Sequence, residues 1–541
     1  MVYAFTLPTT SPLSFQCFIF SSTHPSLPQS ASAARHALRL ALKTHKRLPR
    51  GPRQDAHLPA VLSALNEYLP YLFAISHGLR GKAVQPVPSS FEAQDGGGID
   101  DAFAGIPRSG EEIEITSHAE FVSSWKPTLS TGISLNIGNT GVEGKSLRAR
   151  GGRVAGKGID FELAFTLSTL GYVLCGIARN TVTESIYASK TPSPEQRAAA
   201  VQSATRHLLQ ASSVHVLLAT SPVFAAATAS SVPDINASTQ SGLSSLALAE
   251  ATLVAVLKDD AYITACIQSR NPNDKEWMVR APEIPKVRAL LFARLCVRAA
   301  EYAEQAAASL GTVGSGSGRS GRIDEEVIRY ADVLGRVARA RACRFFGVDA
   351  ELAGKVGEGI AWLQAARSPL GLRGGGTLGQ PTEEAGKTSS KGGFSRLKRE
   401  WTERREERKI GKDAGAGRGN AGVLEPGDDA GRDEEGRVIT MLETKWVRMN
   451  DTINTQLIPS SAPLLASLPS GRDIHAPPAP FTPPSLDQDQ LRLMRAPPDE
   501  TQVFHFNSDP DDSEDNGDSG DTRGPPGAFP DRSQTASNVY Y

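Results

Sequence analysis

The chain has 541 residues and a hydrophobic content of 39%, so it is long enough to bury a large core. Its 58 basic and 59 acidic residues give a formal net charge of -1, which excludes a strong overall attraction to nucleic acid or acidic lipid. The five cysteines lie far apart and at no zinc-binding spacing, so we interpret them as buried free thiols of a reducing compartment.

The first eighty residues predict an extended segment followed by two helices. Residues 1–30 are rich in Pro, Ser, Thr and aromatic residues, which suits a segment that lies extended on a core. Helices are predicted over 31–45 and over 58–79, and Pro70 should kink the second one. The first helix has a basic side, which we interpret either as a solvated face or as a lipid contact: Arg35, Arg39, Lys43 and Lys46.

One strand is predicted between two glycine-rich loops at 81–110 and 135–157. Residues 111–116 alternate charged and apolar side chains with a period of two, which is typical of a half-buried strand. Phe121 and Trp125 follow this stretch.

The clearest helical pattern runs from Gly158 to Thr220 and predicts two long antiparallel helices joined by a turn near Thr191. Asp160 is the expected N-cap of the first helix. For the second, Ser193 is the expected N-cap, followed by Pro194, with Gln196 as the partner in a capping box. The apolar side chains of the first helix recur at steps of three and four over a wide arc, which predicts burial on more than one side: Phe161, Phe165, Leu167, Leu170, Val173, Leu174 and Ile177.

Three more helices are predicted, over 243–267, 287–310 and 323–346, with a loop over 225–241 before them. In the last helix, the apolar side chains that should point inward are Val327, Tyr330, Leu334, Val337 and Phe345. The opposite side is a basic face, which by default is solvated and otherwise meets an acidic partner or membrane: Arg329, Arg336 and Arg339.

Residues beyond the core helices divide into ordered and low-order parts. A low-order insert is expected at about 371–431, an amphipathic helix over 433–458 should pack back on the domain, and a disordered Pro-rich and acidic tail should follow from 476 to 541. The predicted domain is therefore 1–475. No signal peptide is recognised, and the longest apolar run, 243–257, is interrupted by Glu250 and too short to span a membrane.

Three patterns that resemble chemical sites are interpreted as structural. Gly316, Gly318 and Gly321 match GxGxxG, but no strand precedes them. Gly151, Gly156 and Lys157 resemble a phosphate-binding loop, but Gly158 stands where a Ser or Thr should hold magnesium. His207 and His215 lie two helical turns apart, a poor spacing for one metal. We therefore expect no catalytic, cofactor or metal site.

The central pair resembles the core of a Bro domain, the boomerang-shaped helical module of endosomal-sorting adaptors. The first helix begins Ile-Asp-Phe-Glu at 159–162, and its second half leads through a polar turn to a helix that contains His207 and His215. Further motifs agree in their order along the chain: 5–10 (FTLPTT), 23–28 (THPSLP), 42–49 (LKTHKRLP), 396–401 (RLKREW), 450–459 (NDTINTQLIP) and 468–475 (LPSGRDIH). The resemblance is nearest to the members that act in ambient-pH signalling of filamentous fungi.

The resemblance implies an all-α, solenoid-like array of antiparallel helix pairs with a small β-hairpin near residues 111–125. It implies a non-enzymatic, cytoplasmic adaptor that recruits ESCRT-III, at cortical plasma-membrane sites or endosomes, to a complex with a calpain-like protease. That complex activates a PacC-type transcription factor by proteolysis at alkaline pH. The alternative function is a peripheral lipid-surface module, and nucleic acid is not an expected partner.

The family also implies a hydrophobic patch for the C-terminal helix of the ESCRT-III core subunit. On the helix that starts at Pro194, one apolar stripe is formed by Ala200, Ala204, Leu208, Ala211, Val214 and Leu218. The apolar residues outside this main stripe are Leu209, Val216 and Leu217. They are interpreted either as core of a layered domain or as this partner site.

Overall fold

The computed structural model describes residues 1–85, 110–131, 152–187, 193–228, 232–268, 286–314, 321–372 and 429–497. The turn predicted near Thr191, residues 373–428 of the predicted insert and residues 498–541 of the predicted tail lie outside the described residues. Contacts divide the chain into two units, Met1–Arg495 and Ala496–Tyr541, and the helices and strands of the described residues lie in the first.

The first unit is built mainly from helices, as predicted. In chain order these are α1 (Leu27–Arg47), α2 (Pro52–Asp55), α3 (Leu58–Gly78), α4 (Ile159–Ser185), α5 (Pro194–Thr220), α6 (Ala225–Thr228), α7 (Ala237–Asp259), α8 (Ala261–Gln268), α9 (Lys286–Thr312), α10 (Glu325–Leu352), α11 (Val356–Leu370), α12 (Arg432–Met449), α13 (Ser461–Ala466) and α14 (Gln488–Met494). The long helices pack on their neighbours in the order α1, α3, α4, α5, α7, α9, α10, α11 and α12. The inner helices of this series are therefore each buried between two others, as in a helical-repeat array.

The central pair α4 and α5 lies within this array. The capping box of α5 is confirmed, since the Gln196 amide donates to Ser193 Oγ over 3.2 Å and the Ser193 amide donates to Gln196 Oε1 over 3.1 Å. The prediction of Asp160 as N-cap of α4 was wrong. That position belongs to Gly158, whose φ of 83° favours glycine, and Asp160 lies in the first turn, where it pairs with Arg80.

Short strands lie in the segments between the helices and in the amino-terminal segment: β1 (Thr9–Thr10), β2 (Ile19–Ser21), β3 (Ile115–Ser117), β4 (Val122–Lys126), β5 (Ser130–Thr131), β6 (Val154–Lys157) and β7 (Arg322–Ile323). They form three small antiparallel sheets, β1–β4–β6, β2–β3 and β5–β7. The stretch 111–125 is thus not a hairpin. The amino-terminal segment lies across it, so β3 pairs with β2 and β4 pairs with β1 and β6.

Several helices differ from the sequence prediction. The helix predicted over 243–267 is broken at Asp260, which adopts a non-helical ψ of 89° between α7 and α8. The helix α11, which packs between α10 and α12, was not predicted. The carboxyl-terminal helix α12 packs back as predicted, with Val438, Leu442 and Trp446 buried, although Ile453 is 76% exposed because it lies in the π-helical turn after α12.

Two buried ionic clusters tie distant parts of the chain together. In the first, Glu162 accepts hydrogen bonds from Arg35 Nε at 2.8 Å, Tyr68 Oη at 3.0 Å and Trp125 Nε1 at 2.6 Å. The interpretation of Arg35 as a surface charge was therefore wrong: it is 1% exposed, because it compensates the buried Glu162 carboxylate.

The second cluster joins α10, α12 and the break between α7 and α8. Arg344 contacts both Asp260 and Glu435 at 2.5 Å, and Arg341 contacts Glu435 at 2.9 Å. All four side chains are 0% exposed. The helix break at Asp260 thus places a carboxylate against Arg344.

Three helical stretches of the described chain are long and apolar enough, by length and composition alone, to cross a membrane: Pro52–Gly78, Ile159–Ser185 and Ala237–Asp259. In this structure 56%, 89% and 83% of their most apolar parts are buried by other parts of the chain.

The compact unit also extends past the boundary that the sequence suggested at 475. Beyond Pro477, Leu491 of α14 is fully buried and Met494 is 6% exposed. Arg495 forms an ion pair with Glu111 at 2.5 Å. Because these side chains pack on the core or pair with it, the segment that contains α14 belongs to the same compact unit as residues 1–475.

Candidate docking groove

A groove of about 490 Å³ lies between α5, α7 and α9. Its apolar floor is formed by Val201, Phe292 and Leu295, which are at most 6% exposed, and by the half-buried Leu291. The sequence explains the groove, because Ala198 on α5 and Ala255 on α7 are too small to fill the space between the two helices.

The rim of this groove is charged. Lys258 and Asp259 stand at the end of α7, and Arg288 stands in the first turn of α9, with Arg288 Nη1 at 3.9 Å from Asp259 Oδ2. These side chains are exposed or half-buried, so they can meet polar groups of a bound molecule. Thr205 also lines the groove, and its hydroxyl has no hydrogen-bond partner among the described residues.

The carboxyl-terminal segment 468–475 forms the last wall, because it crosses α9 and places Ile474 at the groove. The Arg472 amide donates to the Arg294 carbonyl at 3.1 Å, and Arg294 Nε donates to the Ser470 carbonyl at 3.2 Å. Gly471 lies directly on the backbone of Arg298, where an added Cβ would approach the Arg298 amide nitrogen to 2.6 Å.

Asp473 fixes the same segment through its side chain. Its Oδ1 accepts hydrogen bonds from Arg298 Nε at 2.8 Å and from Tyr302 Oη at 2.7 Å. Burial acts against ionisation, but these two donors hold the pKa of Asp473 below its usual value. The motif at 468–475 is thus explained by its contacts: Gly471 permits close approach, Asp473 anchors, and Ile474 closes the groove.

The patch predicted on α5 lies elsewhere on that helix. Val216 is 42% exposed, whereas Leu209 and Leu217 are half-buried and pack against the core. None of the three lines the groove, which uses the first half of α5. The groove residues themselves were missed, because their apolar side chains could not be distinguished from core residues by helical period.

The predicted basic face of α10 is exposed but neutralised. Arg336 pairs with Asp332 at 2.5 Å, Arg339 with Glu304 of α9 at 2.5 Å, and Arg329 approaches Glu325 to 3.9 Å. Each arginine thus has a carboxylate neighbour, which weakens its attraction for an acidic partner.

The patterns that resembled chemical sites have structural explanations where they are described. His215 is buried, its Nδ1 lies 2.7 Å from Gln240 Oε1, and burial lowers its pKa to about 4. Gly156 lies in β6 against the ring of Phe161, and Gly151 lies outside the described residues. Gly316 and Gly318 lie outside the described residues. Over the described ranges, no group of three His, Cys, Asp or Glu side chains could hold a metal ion.

Comparisons with solved structures return Bro1 domains. The ALIX BRO1–CHMP4C complex matches with 16% identity and a TM-score of 0.42, over 89% of this chain and 96% of that one. A structure titled as the basis for endosomal targeting by the Bro1 domain matches with 13% identity and a TM-score of 0.43, over 91% and 95%.

No family model matches the sequence. Among curated proteins, the chain is 56% identical over 542 residues to the pH-response regulator protein palC of Emericella nidulans, with 100% of both chains covered. At this identity over the whole length, the resemblance inferred from the sequence motifs is confirmed. The chain belongs to the palC family of pH-response regulators.

Proposed function

We propose that the chain is a non-enzymatic adaptor of ambient-pH signalling, and that its groove between α5, α7 and α9 binds the C-terminal helix of the ESCRT-III core subunit. Such binding recruits ESCRT-III to the complex in which a calpain-like protease activates a PacC-type transcription factor at alkaline pH. The chain is cytoplasmic and acts at cortical plasma-membrane sites or endosomes. The single observation that carries the proposal is a groove with an apolar floor and a charged rim in a palC-family protein.

The shape of the groove suits an amphipathic helix. Such a helix buries apolar side chains at positions i, i+3 or i+4 and i+7, and its polar face remains in water. The floor offers Leu291, Phe292 and Leu295 for the apolar side chains, and Ile474 covers them from the other side.

The charged rim supplies orientation. Lys258 and Arg288 stand on two different helices and can pair with carboxylates of the guest, whereas Asp259 repels them. Rim charges of this kind act mainly on association rate and specificity, so binding should weaken only moderately at high salt.

The test is binding of the purified ESCRT-III core subunit to the full chain and to matched variants. Leu291→Asp places a charge on the groove floor and should weaken binding about 30-fold or more, the effect of losing a central apolar contact. Leu290→Asp is the control, because Leu290 is the adjacent residue of α9, is 46% exposed and does not line the groove. It should leave binding unchanged, and both variants should keep the melting temperature of the wild type.

Two further variants separate the groove from the patch named in the sequence analysis. If Val216→Asp or Leu217→Asp abolishes binding and Leu291→Asp does not, the partner lies on the second half of α5 and the groove proposal is wrong. If the wild-type chain does not bind the subunit, the adaptor proposal loses its partner.

A further inference from the structure

The amino-terminal part of the chain has a charge imbalance that the overall net charge of -1 hides. Residues 1–54 contain no Asp or Glu but seven basic residues: Arg35, Arg39, Lys43, Lys46, Arg47, Arg50 and Arg53. Of these, Arg35 is used internally to compensate Glu162. The other six basic residues take no part in this buried pair, so positive charge concentrates near α1.

The structure brings two more basic side chains to this surface. The pKa of Lys43 is lowered first by Arg39, then by slight burial, and then by Arg47 and Arg153. The pKa of Lys46 is also lowered, mainly by burial and to a smaller extent by the positive charges of Lys126 and Arg153. Three separate elements thus contribute to one surface, which we call the α1 basic patch: Arg39, Lys43, Lys46, Arg47, Lys126 and Arg153.

No carboxylate of the described residues neutralises the α1 basic patch. None of its six members forms an ion pair with a described Asp or Glu, and the nearest charges acting on Lys43 and Lys46 are all positive. Arg153 donates only to the carbonyls of Thr9 at 3.2 Å and Ser124 at 3.5 Å. The positive charge of this surface therefore remains available to an external anion.

Apolar and recessed features accompany these charges. Leu40 is 48% exposed and lies between Arg39 and Lys43 on the outer side of α1. Beside it is a cavity of about 430 Å³, lined by Ser14, Ser32, His36 and Arg39 among others. Arg39 and His36 both line this cavity and carry N–H donors, which suits a phosphate group.

We propose that the α1 basic patch binds the surface of a membrane that carries anionic phospholipids, with a headgroup phosphate at Arg39 and Leu40 inserted at the interface. The exposed leucine favours a membrane over nucleic acid or an acidic peptide, because an apolar side chain among cations gains free energy at a lipid interface. Each basic side chain near such a surface strengthens binding about five-fold. This surface goes beyond the docking groove, which uses α5, α7 and α9.

The test is flotation of the full chain with vesicles of phosphatidylcholine, with and without about 30% phosphatidylserine, in low and high salt. The wild type should float only with the anionic vesicles, and binding should fall steeply as salt shortens the screening length to a few ångströms. Lys43→Gln/Lys46→Gln should lower the partition coefficient about 20- to 30-fold. Leu40→Ser should lower it several-fold.

The matched control is Arg329→Gln/Arg336→Gln, which removes the same charge from α10, where each arginine has a carboxylate neighbour. It should change binding less than two-fold. Lys43→Gln/Lys46→Gln should keep both its melting temperature and its ESCRT-III binding, which separates this proposal from the groove. Equal binding to neutral vesicles, an equal loss in the control, or binding to duplex DNA or inorganic phosphate without flotation would each overturn the proposal.

Discussion

The helices α1 and α10 both carry several basic residues, but these residues have different surroundings. Each has an arginine on its buried side, Arg35 in α1 and Arg344 in α10, which compensates a carboxylate from a distant part of the chain. On the exposed side, however, the arginines of α10 face Glu304, Glu325 and Asp332, whereas the α1 basic patch faces no described carboxylate.

This difference teaches that a basic helical face is not a functional signal by itself. Whether such a face is neutralised depends on the charges of the elements that pack beside it, and the fold shows which elements those are. On α10 the neighbouring charges cancel, which leaves a solvated face. On α1 they add, because Arg153, just before β6, acts on both Lys43 and Lys46, and Lys126 of β4 acts on Lys46.

The largest effect is expected on the buried side of α10. Arg344→Met leaves Asp260 and part of Glu435 uncompensated in the core, which should cost about 3–5 kcal/mol of unfolding free energy. The surface control Arg336→Met should cost about 0–1 kcal/mol. Urea unfolding followed by circular dichroism measures both, and equal losses would contradict the distinction between the two sides.

A second buried carboxylate, whose pKa shifts the opposite way, sharpens the same comparison. Burial opposes ionisation of Glu435, but Arg344 and Arg341 hold its pKa below the usual value. Glu250 is also fully buried, and burial raises its pKa to about 7, against the hydrogen bond from the Tyr3 amide and the nearby Met1 amino group, Tyr330 and Arg179.

The raised pKa of Glu250 gives a pH dependence with a defined sign. The folded state binds the Glu250 proton more tightly than the unfolded state, so its contribution to stability is complete below about pH 4.5 and is lost as the pH rises through about 7. Glu250→Gln should therefore match the wild type near pH 4.5 and exceed it by on the order of 3 kcal/mol above pH 8. Melting curves at both pH values measure this, and an equal difference at both would contradict it.

The smallest effects are expected from single charge reversals on the two exposed faces. Lys43→Glu relieves repulsion from Arg39 and Arg47 one helical turn away, so the melting temperature should stay constant or rise slightly. Arg339→Glu loses the pair with Glu304 and should cost about 1 kcal/mol. Both changes should shrink in high salt, and a loss of stability in Lys43→Glu would show that the patch is not self-repulsive.

The sequence predicted the elements that depend on local chemistry. The capping box at Ser193 and Gln196 needs only residues three apart, and the long apolar arc of α4 needs only helical period. The break at Asp260 was not predicted in this way, since apolar residues resume directly after Lys258, Asp259 and Asp260, and the partner of Asp260, Arg344, lies 84 residues away. Arg35 was misplaced for the same reason, because its partner Glu162 is 127 residues away.

The candidate site was predictable only in part. The stretch 468–475 was recognised from the sequence only as a family motif, and the roles of Gly471 and Asp473 within it depend on Arg298 and Tyr302 of α9. Helical period identified apolar residues of α5 that lie outside its main apolar stripe. It could not distinguish the groove in the first half of α5 from the exposed Val216 in the second half.

Amide hydrogen exchange of the full chain, with and without a saturating peptide of the ESCRT-III C-terminal helix, tests the docking groove most directly. Exchange should slow in the three helical segments that line the groove, residues 198–205 of α5, 255–259 of α7 and 288–295 of α9, and stay unchanged in α1. Protection confined to 209–217, or no protection at all, would contradict the account.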